Sequence, residues 1–358
     1  MPRTPIYTQV MDAIERRVAA GEYMFRDIPG ERRLATELDV SYMTARKAVL
    51  ALIDEGVLAR RENGTLIVSP DHQRRIARGQ LALLMPAYPA AHLVRSRLAI
   101  TMAAKNLGFQ VRPFEYMYWD DPIVKECLES SNGLILIPSS EPIPDRLARQ
   151  FAEPSSKVVA FDTDLSALGI VSIELFPDEH IRLVLDHLAE LGRGRVECLN
   201  TQGRNEEVER RIGLWRNWIR TTHVDGALID DPAPAYESAL ARAHKTMLGF
   251  LERRSDPVDT IFCTTSPAAI GAIRACADVG IRVGEDVRIC AVNNEPSGRY
   301  SVPSITGLEM PDIQRTFDRL AGWLSGQEAA WAGPLALTPE APVLFIGEST
   351  AGFRHAIA

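Results

Sequence analysis

From Gln80 onward the chain alternates short apolar runs with segments of helical period, and this alternation restricts the fold more than any other feature. LALLMP, GLILIP, KVVAFD, RVECLN, GALID, DTIFCTT and VRICAV read as strands, each short, apolar and rich in branched or aromatic residues. LVRSRLAITMAAKNLG, DEHIRLVLDHLAELG and AAIGAIRACADVG lie among them, with apolar positions three and four apart. Strands that are apolar on both faces need cover on both, and intervening helices supply the crossovers of a parallel sheet. A doubly wound α/β body is expected. About 280 residues follow Gln80, too many for one ordinary sheet, so two lobes are expected.

The first 70 residues follow a different pattern. Ile6, Val10, Ile14 and Val18 recur at helical spacing, and Gly21 ends that helix. Pro29-Gly30 opens a second short helix with Leu34 and Leu38 inward. Ser41 is suited to cap a third, where Ala45, Val49, Leu52 and Ile53 form one stripe up to Gly56. VLARR and TLIVS then flank Glu62-Asn63-Gly64, the Asn-Gly signature of a hairpin turn. Three helices and a hairpin make a winged helix-turn-helix. The fold class is therefore multidomain, α+β followed by α/β, with residues 1–70 as head and 80–358 as body. DHQRRIARG, residues 71–79, is polar and basic and suits a linker, as a hinge or as an extension of helix.

Charge supports the division. The whole chain carries 40 basic and 47 acidic residues, a net of −7, yet residues 1–80 carry a net of +2. A slightly basic head on an acidic body permits a nucleic-acid module joined to something that avoids nucleic acid. Five scattered cysteines without a Cys-x-x-Cys pair read as reduced core residues of a cytoplasmic protein. No run approaches the ~20 apolar residues of a membrane span, and MPRTPIYTQV carries no apolar export signal.

A helix that reads the major groove needs polar side chains near its N-terminus and cations for phosphate. Ser41, Tyr42, Thr44, Arg46 and Lys47 open the third helix, with Thr44 and Lys47 pointing away from the Val49 stripe. Arg32 and Arg33 open the second helix, and the Asn63-Gly64 turn suits a minor groove because glycine allows close backbone approach. The alternative is that all of these are ordinary solvated residues.

The order of landmarks favours the first reading. The Pro-x-Tyr-x-Gln start, Pro-x-Glu-Arg before the second helix, Val-Ser-x-x-Thr-x-Arg-x-Ala in the third and Asp-Glu-Gly-Val-Leu at the strand entry closely resemble the GntR family of bacterial transcription regulators. The resemblance implies double-stranded DNA as partner, with Arg32 and Arg46 at the family's DNA-contacting arginines and Thr44 at its threonine. Three positions depart from that pattern. Gly30 stands for a capping serine, Tyr42 for an arginine and Glu62 for the first wing glycine. Losing an arginine removes a guanine contact worth about 1–3 kcal/mol of discrimination, so the operator is expected to differ there.

The body carries no phosphate-loop, Gly-x-Ser-x-Gly or His-Glu-x-x-His motif, and Gly192-Arg193-Gly194 lacks the third glycine of a dinucleotide site. His180 and His187 share a helix face without a metal-binding carboxylate, and Asp120-Asp121 and Asp230-Asp231 read as solvated loop charges. An enzyme, a metal or a cofactor is not expected.

In order, SNGLILIP, KVVAFDTD, the VSIELFPDEHIRLVLDHLAELGRGRV stretch, ERRIGLWRNWI, DTIFCTTSPAAIGAIRACADVGIRVGEDVRICAVNN, VPSITGLEM and IGEST resemble the effector domain of the LacI/GalR family, which is similar to periplasmic binding proteins. A GntR-type head on such a body is similar to arabinose-responsive repressors. The resemblance implies a type I two-lobed domain, lobe 1 about 80–163 plus 293–322 and lobe 2 about 176–290 plus part of the C-terminal tail. It implies a small sugar-like effector in the interlobe cleft, with Asp162 and Arg210 at ligand-binding positions, or else each in an interlobe or surface ion pair. Tyr88 and His92 follow the first body strand, although His92 equally suits a solvent-facing helix start. Where the family has Asn-Asp and Asp-Asp, this chain has Thr265-Ser266 and Asn293-Asn294. With Arg210 kept and carboxylates lost at Ser266 and Asn293, a positive cleft and an acidic effector (a sugar acid or phosphorylated sugar) are expected.

The expected function is a ligand-responsive repressor, homodimeric through the body. The rivals are a regulator whose body binds a protein or no ligand, and a DNA-tethered α/β enzyme.

Overall fold

The computed structural model describes residues 5–352 apart from 20–21, 24–26, 71, 73–78, 89, 132, 193, 235–236 and 254–257. Gly21 and nearly all of the 71–79 linker lie outside the described residues.

In the head, α1 (Ile6–Ala19), α2 (Glu31–Glu37) and α3 (Tyr42–Asp54) are followed by β1 (Leu58–Arg60) and β2 (Leu66–Val68). Val10, Ile14, Val18, Leu34, Val49 and Leu52 close one core with Leu58 and Leu66, whereas Ile6 at the helix start is exposed. The hairpin is antiparallel, pairing Leu58 with Val68 and Arg60 with Leu66. Gly64 takes φ +80°, the left-handed value that favours glycine at this turn. Gly30 starts α2 with no side-chain cap, whereas the Ser41 hydroxyl accepts the Thr44 N–H at 3.1 Å. Ser41→Ala is expected to cost about 1 kcal/mol, read as a lower urea midpoint of the head.

The body consists of two six-stranded sheets. The first runs through β3 (Gln80–Pro86), β4 (Gln110–Tyr116), β5 (Leu134–Leu136), β6 (Val158–Phe161), β7 (Val171–Ile173) and β13 (Ala336–Leu337), in spatial order β13-β7-β6-β5-β3-β4. The second contains β8 (Val196–Asn200), β9 (Leu228–Asp230), β10 (Thr260–Cys263), β11 (Arg288–Asn293), β12 (Thr306–Leu308) and β14 (Leu344–Phe345), in order β14-β12-β11-β10-β8-β9. Every pairing is parallel except β12 with β14. The helices between are α4 (Ala91–Asn106), α5 (Pro122–Ser130), α6 (Asp145–Ala152), α7 (Asp178–Glu190), α8 (Glu206–Thr222), α9 (Ala239–Arg253), α10 (Ser266–Asp278) and α11 (Gln314–Leu324), and α12 (Glu348–Ala351) closes the chain.

The chain passes between sheets after β7, after β12 and between β13 and β14. The lobe boundary expected at residue 293 is therefore wrong. β12 still belongs to the second sheet, and the return falls beyond Leu308. In each sheet the strand order reverses beside its first strand, between β3 and β5 and between β8 and β10, and such switch points open a crevice at the carboxyl ends.

All five cysteines are free and buried, and burial pushes the Cys127 and Cys276 thiols up to about 12, so they stay protonated core residues. Asp121, Asp230 and Asp231 are more than solvated charges, whereas Asp120 is exposed. Asp121 caps α5 by accepting from Ile123 N–H at 3.1 Å, Asp230 accepts from Asn200 at 2.9 Å, and Asp231 accepts from Arg242 at 2.8 Å. Among the described residues no helix is long and apolar enough to cross a membrane.

Candidate functional site

The exposed face of the head is built on the amino end of α3. Tyr42, Met43, Arg46 and Lys47 are exposed there, while Thr44 is half-buried with its hydroxyl 2.8 Å from that of Ser41. Lys47 Nζ lies 4.1 Å from the Tyr7 ring centroid, a cation–π contact that steadies it against α1. On α2, Arg33 donates to Glu37 at 3.0 Å, and Glu37 also accepts from Arg17 at 2.9 Å. Arg17 and then Arg33 hold the Glu37 carboxyl below its usual range. Arg32 is exposed, and no ion pair engages it among the described residues. In the wing, Asn63 Oδ1 accepts from Thr65 N–H at 3.0 Å and Arg60 donates to the Gly64 carbonyl at 3.0 Å, so the turn is held by its own side chains. Arg32 and Arg46 are thus the cations best placed for an external phosphate or base.

The second site lies where the carboxyl ends of both sheets face each other. Tyr88 and His92 follow β3, Asp162 follows β6, Thr265 follows β10, and Asn293 and Glu295 end β11. Gln202, Asn205, Glu207 and Arg211 contribute from β8 and the start of α8, and Phe161 and Phe176 supply apolar wall. The cleft volume is about 100 Å³, below the ~300–1,000 Å³ of typical ligand pockets, so the lobes stand close together.

Several buried polar atoms lining this cleft have no hydrogen-bond partner among the described residues. They are Arg211 Nε, Thr265 Oγ1 and Asn293 Oδ1, while Glu295 Oε2 is engaged by the Arg95 ion pair alone. Buried polar groups are ordinarily satisfied, so three orphans around one crevice mark a place suited to an external donor–acceptor set. Arg211 is held in place by donating Nη1 to the Thr264 carbonyl at 2.9 Å.

Asp162 adopts φ +62°, a left-handed backbone that short polar residues tolerate. Burial raises its carboxyl to about 6, opposed by Arg211 and Arg95 and assisted by Glu207 and Glu295. Burial, then Arg95 and Arg211, push His92 down to about 4, so its ring is neutral near pH 7. Between about pH 4 and 6 the folded state keeps a proton on Asp162 that the unfolded chain has released, so this group's contribution to stability falls as pH rises through that window. Asp162→Asn is expected to raise the melting temperature more at pH 7.5 than at pH 4.5, because the opposing rise with pH from the lowered His92 is then left uncompensated, as measured by thermal melts.

Residues 6–68 match the family described as bacterial regulatory proteins, gntR family, and residues 185–327 match the periplasmic binding protein-like domain. The chain carries a GntR head on a periplasmic-binding-protein-like body. The uncharacterized HTH-type transcriptional regulator YurK of Bacillus subtilis is 37% identical over 75 residues, 20% of this chain and 31% of that protein. The HTH-type transcriptional repressor NagR of the same organism is 32% identical over 74 residues, 20% and 30% respectively. AglR of Rhizobium meliloti, an HTH-type transcriptional regulator, is 30% identical over 107 residues, 29% and 28%. The chain thus matches about three tenths of the length of these relatives.

Solved structures match the body. A LacI family transcriptional regulator from Arthrobacter sp. FB24, in complex with lactose, has a TM-score of 0.62 at 17% identity, covering 76% of this chain and 99% of that one. The dimeric Lac repressor with an 11-residue C-terminal deletion has a TM-score of 0.61 at 19% identity, covering 76% and 98%. At these identities the likeness is one of fold.

Within the periplasmic-binding-protein-like body, four of the residues expected around the effector come together, namely Tyr88, His92, Asp162 and Asn293. Two do not. Arg210 lies outside the cleft, where it pairs with Glu174, with Asp178 at 3.0 Å and with Glu207 at 2.6 Å, and donates to the Phe176 carbonyl at 3.1 Å. Burial lifts the Glu174 carboxyl to about 7 against the opposing pull of Arg210. The cleft arginine is Arg211, because the buried face of α8 runs through Val208, Arg211, Ile212 and Trp215, and Arg210 is a third of a turn away. An arginine interrupting that apolar stripe was the available signal. Ser266, at the first turn of α10, is buried away from the crevice, and Thr265 lines it instead.

The expectation of a positive cleft fails with these two corrections. Glu207 and Glu295 line it beside Asp162, against Arg211. Carboxylate acceptors lost at Ser266 and Asn293 are thereby replaced from neighbouring positions.

Proposed function

We propose that the protein is a DNA-binding transcription repressor whose hold on its operator is set by a small, uncharged polyhydroxylated effector in the interlobe cleft. The reading is supported above all by one coexistence. A GntR head presents Arg32 and Arg46 to solvent on the same chain as a cleft ringed by unpartnered buried donors and acceptors. The lining carboxylates accept hydroxyl protons, and with Glu207 and Glu295 paired to Arg210 and Arg95 and Asp162 beside Arg211 the cleft carries no surplus cation for an acid, which favours a neutral sugar over a sugar acid. The lactose in the Arthrobacter regulator is of that chemical class. Head arginines take phosphate and base edges, and two copies joined through the body set half-site spacing on a pseudo-palindrome. Effector binding then shifts the body between states by its differential affinity for them, a coupling of about 1–3 kcal/mol. In this reading the cleft binds and does not turn over its ligand, and the protein works in the cytoplasm, where its DNA is.

Selection of genomic fragments by the purified chain, followed by thermal shift against neutral sugars and their acids, tests both halves. A neutral sugar that raises the melting temperature and weakens capture of the selected duplex is the expected result. An acid that binds in preference to its neutral parent overturns the assignment of effector class. The small cleft volume favours one rival, a body without a small-molecule ligand, which DNA capture with no shift across the panel would select.

A further inference from the structure

We propose that Arg95 and Glu295 form a latch between the lobes, a buried ion pair that draws the cleft shut before an effector enters and fixes the carboxylate the effector meets. Arg95 sits on α4 in the first lobe and Glu295 follows β11 in the second, 200 positions apart in sequence. Their side chains are only 10% and 5% exposed, and Arg95 Nη1 lies 3.3 Å from Glu295 Oε2. The same guanidinium nitrogen donates to the Asn294 carbonyl at 3.3 Å, so α4 is tied to both backbone and side chain of the opposite lobe.

Position gives the pair its role. His92, one helical turn before Arg95, lines the cleft, and Asn293 lines it from the other side while donating Nδ2 to Glu295 Oε1 at 3.4 Å. Glu295 therefore belongs both to the latch and to the cleft lining. Opposite charges attract strongly where water is excluded and weakly where it returns, so the attraction grows as the lobes close. A contact of this kind favours two discrete arrangements over a continuum.

The pair is also incompletely satisfied. Glu295 Oε2 makes no aligned hydrogen bond, and Arg95 Nε has no partner among the described residues. One acceptor and one donor remain at the seam, so a ligand hydroxyl donated to Glu295 Oε2 joins a group already anchored to the far lobe. This second role rests on the effector reading given above; the closing role does not.

Distance measurement in the full chain without any ligand separates the two. Nitroxides on Lys125→Cys in α5 and Arg274→Cys in α10 report the lobe separation by pulsed electron resonance, with unlabelled chain added to suppress distances between copies. The native cysteines are buried and stay unlabelled. The otherwise unaltered chain is expected to give one narrow distribution, and R95M/E295Q, which removes both charges at near-constant volume, a longer and broader one. Indistinguishable distributions overturn the latch, as does a broad distribution before any latch mutation. Each single variant strands a buried charge, but E295Q leaves Arg95 its hydrogen bond to the Asn294 carbonyl, so E295Q serves as the second variant if the double variant does not fold. Because no effector is added, an unsuccessful ligand panel leaves this result standing.

Discussion

Replacing Arg211 by methionine is expected to abolish effector-induced stabilisation at ligand concentrations that saturate the unaltered protein. Among the described residues, Arg211 is the cleft-lining cation, and it combines an anchored nitrogen, donating to the Thr264 carbonyl, with an unpartnered one, Nε. Removing a buried, hydrogen-bonded charge from a recognition site costs about 2–5 kcal/mol, or roughly 30- to several-thousand-fold in affinity. A ligand at 100 times its dissociation constant stabilises the native state by about 2.7 kcal/mol, so even the lower figure erases most of the shift. Arg211 is also the largest charge opposing the rise of Asp162, so its loss should move that carboxyl further up and extend its titration toward neutral pH. Arg210→Ala supplies the contrast. It releases Glu174, Asp178 and the cleft-lining Glu207, so it should lower the melting temperature and reduce the ligand-induced shift without abolishing it. Calorimetric titration of both variants with one sugar decides the matter; equal losses of affinity would show that the adjacent arginines act together.

That contrast also marks how far the sequence can be read. The body strands are legible because they are apolar on both faces, and the crevice follows from strand ends such as KVVAFD and DTIFC. The head is legible for a similar reason, since Val49 and Leu52 on α3 and the Asn63-Gly64 turn each carry a local signal. What escapes is direction and distance. Arg210 and Arg211 differ by one position in a charged helix start, and only the packing of Val208, Ile212 and Trp215 decides which one faces inward. Arg95 and Glu295 carry no local mark of each other, because their meeting depends on two lobes closing. Thr306–Leu308 is too short to display a strand period, so the second lobe extends further than its pattern indicates. Lys47 reads as a groove-facing cation until Tyr7, from α1, is found beneath it.

Arg46→Ala should weaken binding to a selected operator about 5- to 150-fold, the equivalent of one lost bidentate base contact at about 1–3 kcal/mol. Arg46 is exposed on the first turns of α3, at the border of the Val49 stripe, and its charge helps hold the Glu31 carboxyl below its usual range. Glu31 is itself engaged by Arg60, so Arg46 keeps donors for DNA. Tyr42 cannot take over a guanine contact, because a phenol presents one hydroxyl where a guanidinium presents a fork. Discrimination should therefore fall along with affinity, and single-base variants of the operator should become nearly equivalent at the position Arg46 reads. Arg33→Ala provides the comparison, since Arg33 already donates to Glu37. Its loss should cost less, affect all duplexes alike and reduce the slope of log affinity against log salt by about one counterion. Fluorescence anisotropy with operator and scrambled duplexes across a salt series measures all three quantities. A parallel loss on both duplexes for Arg46→Ala would mean that it holds phosphate, and base reading would then fall to the Tyr42 and Thr44 face of the same helix.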